Sequence, residues 1–183
     1  MKVVLDACVL FPTVLRDILI GAAAVGLYEP LWSPRILEEW ARATVKLGPG
    51  AETVARGEIA LLSARWPRSG VPARDGDLGR LRLPDPDDIH VLATAIAGSA
   101  DRIVTFNARD FPRQTLADEG LTRQDPDQFL LELHGAAPQH IVSVLEAVRD
   151  TAQRLSGEAQ PLRPLLKRAR LPRLAKALTT NRR

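Results

Sequence analysis

Residues 85–111 read DPDDIHVLATAIAGSADRIVTFNARDF, a helix, a strand and a turn in the order that decides the fold. Asp85-Pro86 is a helix start, with Pro at the first helical position, where a missing N–H costs nothing. At about 100° per residue, Ile89, Leu92, Ala93 and Ile96 fall on one inward stripe, and the helix ends near Gly98. Ile103-Val104-Thr105-Phe106 is rich in β-branched residues and reads as a strand. Asn107 to Asp110 then turn the chain at the carboxyl end of that strand. The same wheel sorts the acids. Asp87 lies nearly opposite the stripe and faces solvent, whereas Asp88 sits on its flank near the core. Helix capping accounts for Asp85 and Asp87 in full, and for Asp88 only in part.

Working outward, the pattern alternates. Val3-Val4-Leu5 is a short buried strand running into Asp6. From Pro12 a helix carries Val14, Leu15, Ile18, Leu19 and Ala22 on one side until Gly26, and Tyr28 to Trp32 forms a second strand. Ser33-Pro34 starts another helix, Ser as N-cap and Pro inside it. Ile36, Leu37, Trp40, Thr44 and Leu47 follow helical spacing, and Gly48-Pro49-Gly50 stops them. A helix is predicted from Glu52 to about Trp66. Residues 67–84 carry Pro67, Gly70, Pro72, Gly76 and Gly79 and read as a loop with one short strand at its end. Downstream come a short helix from Leu116 to Gly120, a brief strand at Leu121-Thr122, and a helix from Asp125-Pro126 to Leu133. Strand–helix alternation with short apolar strands predicts an α/β domain around a parallel sheet.

The remainder is different. Pro138 to Leu155 places Ile141, Val142, Leu145, Val148, Ala152 and Leu155 at helical spacing. That stripe suits dimerisation, partner docking or packing back on the same domain. Ser156-Gly157 ends it, and Pro161 to Arg183 follows with eight basic residues (Arg163, Lys167, Arg168, Arg170, Arg173, Lys176, Arg182, Arg183) and no acid. The overall charge of +3 therefore hides an asymmetry: residues 1–160 hold 17 of the 25 basic residues against all 22 acidic ones, a net −5. A basic tail of this kind serves a polyanion or an acidic partner, or is simply solvated. We divide the chain into a domain over residues 1–133 and a helical extension with a basic C-terminal tail over 134–183.

Composition excludes several chemistries. Hydrophobic residues make up 45% of the 183, enough for a real core rather than wholesale disorder. Cys8 is the only cysteine, so an internal disulfide and a cysteine-based zinc site are excluded. His90, His134 and His140 show no metal-ligand spacing. The apolar stretch Ile18 to Tyr28 is too short for a bilayer, and no secretory signal pattern opens the chain, so the expected location is cytoplasmic.

What remains is carboxylate. Asp6 ends an apolar strand, at the sheet edge where open α/β folds bind ligands. Asp110 and Asn107 follow a second strand at the same kind of edge, and Asp88 flanks a core helix. Glu38 and Glu39 both lie away from the stripe of their helix, and the wheel does not separate them. Carboxylates from separate elements that converge can hold Mg²⁺ or Mn²⁺, since these hard ions prefer oxygen ligands.

Three stretches together resemble the PIN domain family, and more closely its VapC-type ribonuclease toxins: Val3 to Leu10, Ser33 to Trp40, and Asp85 to Phe111. The last is the most specific, with an Asp, a small Ala seven residues on, then Ala-Asp, a strand, Thr105, Asn107 and Asp110-Phe111. In this register Asp88 takes the third acidic position, as the wheel had favoured. Asp6 takes the first, Glu39 the second by its place before Trp40, and Asp110 the fourth. The resemblance covers roughly residues 1–133. One departure is Cys8, where many relatives carry Asn or Ser; a thiol is a weaker hydrogen-bond donor toward Asp6.

The resemblance implies a three-layer α/β/α domain with a central parallel sheet, here followed by a C-terminal helical extension. It implies a Mg²⁺- or Mn²⁺-dependent endoribonuclease with Asp6, Glu39, Asp88 and Asp110 as the catalytic acids. Asp6 and Asp88 would be the principal metal ligands, with Thr105 and Asn107 as secondary polar positions. RNA is the implied substrate, with Arg102, Arg109 and the basic tail as candidates for holding it. A cognate antitoxin and a homodimer are the implied protein partners. Two other readings are carried alongside: a catalytically inactive PIN-like scaffold for RNA or protein, and a housekeeping RNA-processing or DNA-directed nuclease.

Overall fold

The computed structural model describes residues 1–180, and of the basic run Arg182 and Arg183 lie outside the described residues. In chain order the elements are β1 (Lys2–Leu5), α1 (Ala7–Leu10), α2 (Thr13–Ala24), β2 (Glu29–Leu31), α3 (Pro34–Ala43), α4 (Ala51–Arg65), α5 (Asp75–Arg80) and α6 (Ile89–Ala97). There follow β3 (Arg102–Val104), α7 (Arg113–Asp118), β4 (Thr122–Gln124), α8 (Pro126–Ala136), α9 (Pro138–Ser156), α10 (Leu162–Arg168) and α11 (Pro172–Thr180). Single 3₁₀ turns occupy Thr44–Leu47 and Pro86–Asp88. A parallel sheet flanked by helices and followed by C-terminal helices is the expected PIN-like α/β/α class. Among the described residues no helix is long and apolar enough to cross a membrane.

The chain forms two compact units. The first comprises Met1–Phe11 and Glu29–Gln124. Its sheet has the order β2-β1-β3-β4, parallel throughout. Val3, Val4, Leu5, Ile103 and Val104 are wholly buried, as the near-continuous apolar runs of parallel strands require. The register sets Leu5 beside Val104, so the residues after β1 and β3, Asp6 and Thr105, leave the sheet side by side. Helix α6 packs on β1 and β3, and α3 starts as expected, the Ser33 side chain accepting from Ile36 N at 3.2 Å.

Three local expectations are corrected. The stretch 67–84 is not a loop ending in a strand. It holds the helix α5 at Asp75–Arg80, and its strand-like pairing is a single bridge between Trp32 and Gly70, at its beginning. Acids in the first turn, Asp75 and Asp77, favour that helix. Arg80 reinforces it by gripping both Asp77 and Glu119, with Nε–Oδ1 at 2.9 Å and Nη1–Oε1 at 2.5 Å. Second, α3 stops at Ala43; Thr44 to Leu47 is the 3₁₀ turn, and Leu47 is exposed rather than part of the stripe. Third, β3 ends at Val104. Thr105 N adds one more ladder bond to Gln124 O at 3.1 Å, after which Phe106 N turns away to Cys8 Sγ at 3.3 Å.

The second unit comprises Pro12–Tyr28 and Asp125–Arg183 as compact segments far apart in sequence. Helices α2 and α8 both pack on α9, and α11 packs on α8 and α10. Of the predicted stripe of Pro138–Leu155, Ile141 and Leu145 are buried together with Val144, whereas Val142, Val148 and Ala152 are only partly covered and Leu155 is exposed. Helices α2 and α9 approach so closely that a Cβ on Gly21 would stand 2.6 Å from Val144 Cγ1. As far as Thr180 the basic run is largely helical, in α10 and α11. Leu165, Leu166, Leu171, Leu174 and Ala175 are buried, while Arg163, Lys167, Arg168, Arg170, Arg173 and Lys176 are exposed. Asp127, itself buried, accepts from Arg173 N at 2.8 Å and Leu174 N at 3.0 Å and so caps the start of α11.

Candidate active site

The carboxyl edge of the sheet gathers the acids, all from the first unit. Asp6 is 3% exposed. Its Oδ2 accepts the Thr105 hydroxyl at 2.6 Å and the Cys8 thiol at 3.1 Å. Its backbone N donates to Val104 O, and its own carbonyl accepts from Val9 and Leu10, the opening turn of α1. Thr105 Oγ1 also accepts from Asn107 N at 2.9 Å, which sharpens the turn after β3. Cys8 therefore does occupy the orienting position beside Asp6. It donates to the carboxylate and accepts from Phe106 N. Burial, then the Asp6 charge, pushes its thiol up to about 12, so it serves as a neutral donor and not as a nucleophile.

Asp88 ends the 3₁₀ turn at the mouth of α6, half-buried, while Asp87 beside it is exposed, as the helical wheel predicted. Its carboxyl is pushed up to about 7, first by burial and then by the charges of Asp6, Asp110, Asp85 and Glu39. Asp6 after β1, Glu39 from α3 and Asp110 after β3 thus each act through space on Asp88 before α6.

Glu38 and Glu39 meet different surroundings. Glu38 is drawn into a surface network, Arg42 Nε reaching it at 2.8 Å and Arg56 from α4 gripping both its oxygens at 2.8 and 3.0 Å. Hydrogen bonds from Arg56 and Arg42 hold its carboxyl down near 2. Glu39 instead turns toward α6, its Oε1 lying 2.7 Å from Nε2 of His90 and 3.4 Å from Nε of Arg35.

The other positions fall unequally. Asn107 and Arg109 are exposed in the turn after β3, on the same edge as Asp110. Arg102 opens β3, at the opposite end of that strand from Thr105, and its Nη1 bonds Gln124 Oε1. His90 was missed by sequence reasoning. The signal was available: Val91, Leu92, Ala93, Thr94 and Ala95 are all buried, and a segment apolar nearly all round is enclosed, so a His within it has an interior role.

The donor set is all carboxylate oxygen, the chemistry that suits Mg²⁺ or Mn²⁺. The opposition to ionising Asp88 is the kind of local negative field that a divalent cation relieves. Among the described residues, no group of three or more His, Cys, Asp or Glu side chains already stands in a metal-holding arrangement.

The sequence profile described as PIN domain matches residues 2–109. This is more than half of the 183 residues. The chain belongs to the PIN domain family. No curated protein and no solved structure matches it.

Proposed function

We propose that this chain is a Mg²⁺- or Mn²⁺-dependent endoribonuclease whose acids are Asp6, Glu39, Asp88 and Asp110. The observation that carries the reading is the opposition to ionising Asp88, first from its burial and then from the charges of Asp6, Asp110, Asp85 and Glu39. Acids from separate elements brought around a carboxyl that resists ionisation are an arrangement that a bound cation would relieve. Asp6 and Asp88 would hold the ion, with Glu39 and Asp110 completing the pocket directly or through water. When bound, the ion supplies a lowered pKa for an attacking water and neutralises charge on the scissile phosphate.

The chain's own residues do the rest. Thr105 and Cys8 fix one oxygen of Asp6, and so leave the other oxygen directed by a buried, rigid support. The acidic pocket repels RNA, so affinity must come from basic side chains, with salt-sensitive binding as the consequence. Arg109, exposed beside Asp110, is a candidate for this, and the exposed basic residues of α10 and α11 are candidates by their charge alone. Arg102, already bonded to Gln124, is a weaker one.

Within this class we read the chain as the toxin of a toxin–antitoxin pair, cytoplasmic, homodimeric and silenced by a cognate antitoxin. The support is the residue pattern from Asp85 to Phe111. We assign the chemistry to residues 1–133 and the basic extension to 134–183. Incubating purified protein with total cellular RNA in Mn²⁺ or Mg²⁺, beside EDTA and Asp88→Ala, tests the chemistry. Metal-dependent cutting lost in a folded Asp88→Ala supports it. No cutting by folded wild type would favour the scaffold, and cutting of one structured RNA precursor alone would favour a housekeeping nuclease.

A further inference from the structure

We infer that His90 is a positioning residue that fixes Glu39 in the acidic site. The inference rests on the nuclease reading only for its consequence, not for the contact itself.

His90 is 2% exposed, and its Nδ1 has no hydrogen-bond partner. The polar group beside its ring is Glu39, with Nε2 at 2.7 Å from Oε1. The two atoms are within ion-pair distance, although Nε2 as placed makes no hydrogen bond. The tautomer follows from the surroundings. A proton on Nδ1 would orphan a buried N–H and turn a lone pair on Nε2 against a carboxylate 2.7 Å away. A proton on Nε2 leaves only an unfilled acceptor at Nδ1, which is the cheaper defect.

The division of labour at Glu39 makes this contact matter. Arg35 and His90 both address Oε1, and Oε2 has no partner among the described residues. Arg35 also reaches the Asp87 carbonyl at 3.4 Å, so α3 is linked twice to the segment that carries Asp88. Glu39 is thereby held by one oxygen and presents the other. Without His90, a side chain that is 36% exposed keeps only the long Arg35 contact on its own helix and is free to swing into solvent.

Two measurements test this. The first needs no metal: imidazole ¹⁵N–¹H correlation spectra of the EDTA-treated protein, with Glu39→Gln for comparison. The expected result is an Nε2–H tautomer for His90 whose signals move in Glu39→Gln. An Nδ1–H tautomer, or signals indifferent to Glu39, overturns the inference. The second is calorimetric Mn²⁺ titration of wild type, His90→Leu and His90→Gln, whose amide can replace the Nε2–H. Loss of a metal site's supporting partner weakens affinity by about 10–100-fold. That loss is expected for His90→Leu, with most of it restored by Gln and none added once Glu39 is already Gln. Wild-type affinity in a folded His90→Leu overturns the positioning role. Wild type that takes up no Mn²⁺ overturns the nuclease reading instead, while the spectra still decide the His90–Glu39 tie.

Discussion

Thr105 and Asp6 are ninety-nine residues apart in the chain and 2.6 Å apart in the fold, the hydroxyl donating to Oδ2. The parallel pairing of β1 with β3 enforces this meeting. Thr105→Val keeps the shape and removes the donor, leaving a buried carboxylate short of one bond and Asn107 N without its acceptor. Hydrogen bonds to charged groups contribute about 1.5–3 kcal/mol, so urea denaturation should show a loss of that order. RNA cleavage should fall with it. An unchanged midpoint would mean that Asp6 is held by Cys8 alone.

Asp88 predicts the pH dependence of the metal-free protein. Its folded pKa of about 7 lies above its ordinary value of 3.8, so the folded state binds the proton more tightly than the unfolded chain. That stabilisation is complete below the ordinary value and is lost as pH rises through about 7. Melting temperature in EDTA should therefore decline between mildly acidic and mildly alkaline buffer more steeply in wild type than in Asp88→Asn. Parallel curves for the two would show that burial and the neighbouring acids do not hold a proton on Asp88 in the folded protein.

Glu38 and Glu39 should separate cleanly. Glu38→Ala breaks exposed ion pairs to Arg42 and Arg56 and should leave RNA cleavage intact, since surface pairs contribute little. Glu39→Ala should abolish or sharply reduce cleavage with the fold unchanged. The reverse pattern in a cleavage assay would reassign the second acidic position.

Cys8 should be slow to alkylate. With its thiol pushed up to about 12, almost no thiolate is present near neutral pH. Iodoacetamide should label the native protein far more slowly than the urea-unfolded chain, followed by mass. Cys8→Ser, which keeps a donor toward Asp6, should retain activity. Rapid native labelling would place Cys8 in a different environment.

Gly21→Ala should destabilise the second unit, because its Cβ would meet Val144 Cγ1 at 2.6 Å. Overpacking of this kind costs about 1–3 kcal/mol. Val144→Ala in the same chain should recover part of the loss, and failure to do so in thermal melts would show that α2 and α9 can separate without strain.

Much of this was legible because the local chemistry was unambiguous. The helix starts at Ser33-Pro34, Asp85-Pro86 and Asp125-Pro126 all carry their side-chain cap. Asp88 was separated from Asp87 by the angle at which each leaves the helix. The helical wheel did not separate Glu39 from Glu38, because their different surroundings come from Arg56 and His90, which arrive from other helices. Helix α5 was hidden behind Gly76 and Gly79, since its support from Glu119 lies 39 residues further on. The basic run looked like a tail because its cap, Asp127, sits 46 residues upstream. What was missed is what depends on partners distant in sequence.

The second unit is closed by segments from opposite ends of the described chain. Helix α2 leaves the ribosome well before α9, with Leu15, Ile18, Leu19 and Ala22 on its apolar side. The α9 surface that receives it is made more than a hundred residues later. At roughly 5–20 residues per second, the nascent polypeptide carries an unmatched greasy helix for about 5–25 s. Biogenesis therefore has a built-in waiting period, in which the apolar side of α2 stays uncovered until α9 has been made.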